Sequence, residues 1–179
     1  LAVGRGPDHG DRITVLSVNW STRFIRECLQ QAATRIQDGV EKERVLDVVV
    51  NELDIVANEV EGLNHAGGSS GKLNKKAEQG IRTSQDKLRH MPKPARHFDG
   101  SPSNGQEETL VIYVGDSSTD LECLVAADIG ICIRDEPMGS GQKELAETLE
   151  RIGIGCEKLP DQLDLKKAAT QGGSLWWAR

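Results

Sequence analysis

Asp116 and Asp120 stand four residues apart in Gly-Asp-Ser-Ser-Thr-Asp, directly after the apolar run Leu110-Val111-Ile112-Tyr113-Val114. A continuous apolar run bounded by polar residues reads as a buried strand, and residues 119–127 then read as the helix that follows it. Asp116 would leave the strand as Asp120 enters the helix, so both carboxylates can turn toward one point above a sheet. Hard oxygen donors of this kind suit Mg²⁺, which takes one or two carboxylates together with waters and a substrate phosphate. A purely structural reading stands beside this one: Asp116 closes the turn, Ser118 or Thr119 caps the helix, and Asp120 complements its dipole. Ser17 occupies a comparable place within the β-branched run at 13–18. Ligands of open parallel sheets bind beyond the carboxyl ends of the strands, which makes Ser17 and Asp116 the two positions best set to meet one. Ser17 also fits as an ordinary strand-end hydroxyl.

The elements that must position these residues alternate along the chain. The strand at 13–18 leads, through Ser21 or Thr22 as a cap, into a helix to about Gln37, with Phe24, Ile25, Cys28, Leu29 and Ala32 at helical spacing. Residues 44–60 hold an element of uncertain type and then a strand ending near Asn58-Glu59, and residues 84–91 form a short capped helix. A strand at 129–133, a helix at 141–152, a strand at 154–158 and a helical tail complete the order. Strands alternating with helices predict an α/β protein with a Rossmann-like, doubly wound parallel sheet in one domain over residues 13–179. Residues 1–12, rich in Gly, Asp and Arg, predict a flexible N-terminal segment, and 64–76 and 92–106 predict flexible polar loops.

The segment Val-Gly-Asp-Ser-Ser-Thr-Asp-Leu-Glu-Cys-Leu at 114–124, followed by Ala-Ala-Asp-Ile-Gly-Ile at 126–131, resembles the fourth motif of the haloacid dehalogenase superfamily. Val-Leu-Ser-Val-Asn-Trp-Ser at 15–21 is similar to the second motif, and Arg-Thr-Ser-Gln-Asp-Lys-Leu at 82–88 to the third. The resemblance covers about residues 13–159. It is nearest to the phosphoserine-phosphatase-like members and to the domains that some fungi and plants fuse to thiaminase-like domains, a subgroup whose Ala-Asn-Glu is matched by Ala57-Asn58-Glu59. It implies a Mg²⁺-dependent phosphatase acting on a small phosphorylated metabolite. Ser17 and Lys87 would hold the phosphoryl group, Asp116 and Asp120 the metal. Asn19 and Trp20 would face the leaving group, although burial under the following helix suits Trp20 equally.

The family attacks phosphorus with an Asp, followed two residues later by an Asp acting as general acid and base, while Mg²⁺ and the Lys neutralise charge on the transferring oxygens. No Asp-x-Asp occurs among these 179 residues. The expectation is therefore a core lacking its first strand, with the edges of that strand's neighbours open, and negligible turnover by the chain as written. The opening at Leu1 and the close at Leu175-Trp176-Trp177-Ala178-Arg179, which reads as mid-element, fit a fragment. A non-catalytic module that binds a phosphate ligand or a protein is the alternative.

Composition excludes other classes. A net charge of −6, with Lys and Arg spread and no aromatics interleaved among them, marks neither a nucleic-acid groove nor an anionic membrane surface. No apolar stretch approaches the roughly 18 residues of a membrane span. Cys28, Cys123, Cys132 and Cys156 form no Cys-x-x-Cys pair, which favours a reducing, cytoplasmic setting. His9, His65, His90 and His97 lack metal-ligand spacing, and Gly67 to Lys72 departs from the spacing of a phosphate loop.

Overall fold

The structure, a computed structural model, describes residues 2–5, 11–19, 21–35, 49–63, 66–74, 80–92, 110–165, 167–168 and 175–179. In chain order the elements are β1 (Ala2–Arg5), β2 (Asp11–Leu16), α1 (Thr22–Arg35), β3 (Asp54–Val56), α2 (Ser84–His90), β4 (Ile112–Gly115), a 3-10 turn (Ser118–Asp120), α3 (Leu121–Ala126), β5 (Ile129–Ile133), α4 (Ser140–Arg151), β6 (Cys156–Lys158) and β7 (Leu175–Ala178). The chain is a mixed α/β protein in two compact units, one of Leu1–Ile13 with Thr83–Arg179 and one of Thr14–Arg82, where the sequence reads as one domain.

In the larger unit the strands run in the order β1-β4-β5-β7-β6. The pairs β4–β5, β5–β7 and β7–β6 are parallel, whereas β1 lies antiparallel to β4, with Ala2 opposite Tyr113. The sheet is therefore mixed rather than wholly parallel. Two expectations for the ends are corrected here. Residues 2–5 form a strand instead of a loop, and they pair with an edge of β4. The terminal Leu-Trp-Trp-Ala is a strand between β5 and β6, not a helical tail, and helix after β6 is confined among the described residues to 165, 167 and 168. Successive side chains of a strand point to opposite faces, so a bulky apolar run can cover both faces of a sheet at once, and Trp favours that setting.

Val111, Tyr113, Cys123, Leu124, Ile129, Cys132, Leu145, Leu149 and Leu175 form the core of this unit. Cys123 and Cys132 are free, buried thiols that pack as small apolar groups, and burial raises the Cys123 thiol to about 11. Asp128, the acid of the Ala-Asp pair, is buried and structural: its Oδ2 accepts the Val111 amide at 2.8 Å, holding the entry to β4. A Cβ on Gly130 would collide with the Leu124 carbonyl oxygen and the Leu175 side chain, so β5 can lie this close to α3 and β7 only as glycine.

In the smaller unit β2 and β3 are parallel, with Thr14 opposite Asp54. The Ser21 hydroxyl accepts the Phe24 amide at 3.1 Å and starts α1, as its residue type predicts. Residues 49–52 are helical, and the Arg26 guanidinium donates to the Val50, Asn51 and Leu53 carbonyls, which as a helix end would otherwise lack partners. Of the loop expected at 64–76, residues 66–74 are described. Its described part folds back as a hairpin in which Val60 bridges Leu73 and the Glu61 and Asn74 amides bond to Lys72 and Glu59. Gly62, Gly68 and Gly71 take the positive φ angles this turn requires. The loop expected at 92–106 lies outside the described residues except for Pro92, as do all of residues 6–10 and 36–48. Among the described residues no helix is long and apolar enough to cross a membrane.

The packing at Gly130 predicts that Gly130→Ala lowers stability by about 1–3 kcal/mol, because the obstruction includes backbone. Gly155→Ala, with nothing within 4 Å of its Cβ, should stay within about 0.5 kcal/mol of the parent. Denaturant midpoints measure both, and equal midpoints for the two variants would contradict the packing described.

Candidate functional site

The larger unit assembles its polar centre from three local devices. The first is β4, which ends in Gly115; a Cβ there would lie 2.5 Å from Cβ of Asp120, so only glycine lets the Asp120 side chain fold back against the strand. The second is the turn that follows. The Ser117 hydroxyl and amide donate to Asp120 Oδ2 at 2.8 and 3.2 Å, the Asp116 amide donates to it at 3.3 Å, and the Asp120 amide returns a bond to the Ser117 carbonyl. Asp120 thus folds back on Ser117, whose hydroxyl donates to the carboxylate rather than capping the helix amides; the structural reading of the motif places a cap at Ser118 or Thr119.

The third device is α2. Thr83 caps it reciprocally with Asp86, and Ser84 ties it to α3 by donating to Glu122 at 2.7 Å. The helix thereby presents Lys87, 5% exposed, whose Nζ lies 2.7 Å from Asp120 Oδ1 and 3.2 Å from the Thr119 hydroxyl. Asp120 is 4% exposed, and the Tyr113 hydroxyl donates to the same Oδ1 at 2.7 Å.

Burial alone would raise the Asp120 carboxyl, but the hydrogen bond and charge of Lys87, with the hydrogen bonds of Tyr113 and Ser117, outweigh it and hold the group below its usual value. The Tyr113 phenol is driven up, first by burial and then by the Asp120 charge beside it, so it stays a donor.

The two acids stand in different surroundings. They were expected to turn toward one point, yet Asp120 faces inward and accepts five donors, more than the roughly four lone-pair sites of a carboxylate. Asp116 is exposed at the carboxyl end of β4, its amide pinned by Asp120. No group of three or more His, Cys, Asp or Glu able to hold a metal ion occurs among the described residues. Of the two carboxylates expected to hold Mg²⁺, Asp116 is the exposed one that an ion would meet, and Asp120 has its oxygens engaged by internal donors.

Ser17 and Asn19 belong to the smaller unit. The Ser17 hydroxyl accepts the Asn19 amide at 3.1 Å, and the Ser17 amide donates to Val56 at 3.0 Å, so the hydroxyl is held at the end of β2. Asn58, buried, donates through Nδ2 to the Val18 and Ile81 carbonyls, and its amide donates to the Asn19 carbonyl. Glu59 accepts the Thr22 amide at 2.9 Å. The Ala57-Asn58-Glu59 triplet thus braces the 17–19 turn and the start of α1. Trp20 lies outside the described residues. The structure brings Lys87 to Asp120 and Ser17 to Asn19.

Tyr113 and Ser117 have no assigned role in the sequence reading, and Thr119 figures there only as an alternative helix cap. A faint signal was available for one of them: Tyr113 is the only tyrosine of the chain, set in an otherwise aliphatic strand, and a buried phenol needs an acceptor.

Asp120→Asn should cost about 3–5 kcal/mol, because it strands the buried Lys87 ammonium without its counter-charge. Because Asp120 titrates in the folded chain below its usual 3.8, the unfolded chain binds more protons, and stability rises with pH between the two values. The contribution is complete above 3.8 and is lost as pH falls through the lower folded value. Tyr113→Phe removes one of the donors that depress the group, so its acid-unfolding midpoint should move to higher pH. Acid titrations followed by circular dichroism read this, and an unmoved midpoint would contradict the coupling.

Comparison of the chain with family models, with curated proteins and with solved structures finds no match in any of the three.

Proposed function

We propose that this chain carries the phosphate- and Mg²⁺-handling residues of a haloacid-dehalogenase-like phosphohydrolase, which in full-length form acts on a small phosphomonoester. The observation that carries the reading is the buried Lys87–Asp120 pair beside the outward-facing Asp116 at the end of β4. An ammonium has three N–H donors. Lys87 directs two of them at Asp120 and Thr119, which leaves the third for a phosphoryl oxygen. Asp120 keeps the ammonium in place and charged, and through the Asp116 amide it fixes the backbone from which the Asp116 carboxylate projects.

Mg²⁺ bound at Asp116 would neutralise charge on the phosphoryl oxygens. Ser17 would donate its hydroxyl to the phosphoryl group and Asn19 would face the organic portion of the ester, as the second motif implies. The fold that accompanies this reading is a doubly wound, Rossmann-like core without its first strand.

The missing Asp-x-Asp favours a second reading, a module that binds a phosphate ligand without turning it over. Both readings require phosphate binding that Mg²⁺ strengthens. Calorimetric titration of the 179-residue chain with inorganic phosphate should show saturation, tighter with Mg²⁺, and Asp116→Asn should remove the Mg²⁺ effect. A flat titration with and without Mg²⁺ would overturn both readings. Release of phosphate from 4-nitrophenyl phosphate should remain at background; release that Asp116→Asn abolishes would eliminate the non-catalytic module.

A further inference from the structure

The smaller unit contains a cavity of about 640 Å³ beside the amino-terminal end of α1. We infer that it is a binding site for a flat, apolar organic group of small-molecule size.

Its walls include apolar side chains that stand open to water. Phe24, in the first turn of α1, is 64% exposed, and Leu63 on the facing hairpin is 44% exposed; both line the cavity together with Val60. An aromatic ring left open to water beside two aliphatic side chains provides a stacking surface for another ring.

Both walls are preformed. The start of α1 is fixed by the Ser21 hydroxyl on the Phe24 amide and by Glu59 on the Thr22 amide. The hairpin wall is fixed by the Val60–Leu73 bridge and by the tight turn at Gly62, where a Cβ would lie 3.0 Å from the Gly68 carbonyl oxygen. A volume of this size falls within the roughly 300–1,000 Å³ typical of small-molecule sites, and the mixture of apolar walls with a few polar groups is their usual composition.

Asn19, Ser21, Arg23 and Glu27 supply polar groups at the cavity. The Asn19 amide is the donor to the Ser17 hydroxyl, so the cavity shares a residue with the turn that bears Ser17. The occupant is therefore assigned as the aromatic portion of a phosphate ester. The ester linkage rests on the phosphohydrolase reading, whereas the apolar group does not.

The test titrates 1-naphthol, inorganic phosphate and 1-naphthyl phosphate into the full chain and into Phe24→Ala and Leu63→Ala. Both side chains are largely exposed, and unchanged melting curves will verify that the variants fold. Naphthol should bind saturably to the parent and at least about tenfold more weakly to Phe24→Ala, while phosphate binding is the same in all three proteins. Naphthol that fails to bind, or binds all three proteins equally, overturns the inference. Phosphate binding without naphthol binding sinks this inference alone, and naphthol binding without phosphate binding sinks only the phosphohydrolase reading. A parent that sediments as a dimer and becomes monomeric on Phe24→Ala would show a second copy covering the cavity, and that too overturns the inference.

Discussion

A carboxylate removed from water is the constraint around which the larger unit is organised. The effective penalty for burying an ion is several kcal/mol, and it is recovered only where a counter-charge and further donors surround it. Asp120 obtains them from three separate elements: Lys87 from α2, Tyr113 from β4, and Ser117 with the Asp116 amide from the intervening turn. None of these elements can shift without leaving a donor or the charge unsatisfied. The demand explains the local sequence as well. Gly115 leaves room for the side chain, Tyr113 replaces what would otherwise be another aliphatic, and a short helix with a strong cap delivers a lysine that would normally be solvated. A matched apolar trio could stabilise the fold as well or better, so the buried pair is better understood as specifying one arrangement than as a source of stability.

The same constraint links stability to chemistry. A carboxylate saturated by internal donors is a poor metal ligand but a good scaffold, because every oxygen has a fixed direction. Asp120 spends its acceptors on Lys87 and on the amide of Asp116. Asp120 thus holds one ammonium by its side-chain nitrogen and one neighbouring carboxylate by its backbone amide. The tight coupling has a cost in tolerance, since a change at any one member leaves another buried polar group without a partner.

Much of this was legible in the residues. Continuous apolar runs gave β4 and β5, helical spacing and caps gave α1, α2 and α4, and all of these depend on local signals. The elements that escaped depend on partners distant in sequence. Residues 2–5 are a strand because β4 offers them an edge, and residues 175–178 because β5 and β6 leave a place between them. Neither segment carries the alternation or capping that announces a strand or a helix in isolation. At the site, the spacing of Asp116 and Asp120 identified both acids but not which would be solvated. That outcome is decided by Gly115 and Tyr113, one an absence of side chain and the other a polar atom concealed in an apolar run.

The smaller unit offers a complementary lesson about residues that only look chemical. Ala57-Asn58-Glu59 follows a strand and carries an amide and an acid, the profile of a site, yet both side chains are consumed by backbone. One Asn58 amide nitrogen satisfies two carbonyls, of Val18 and Ile81, and so ties the turn after β2 to the chain that leaves the unit. An Asp here could not donate to either carbonyl and would add a buried charge, which makes the amide the only close isostere that serves. Glu59 meanwhile occupies the Thr22 amide, one of the four orphan donors that would otherwise open α1 to solvent. With those positions committed to bracing, the Asn19 side chain and the ring of Phe24 stand exposed beside the turn that Asn58 and Glu59 hold.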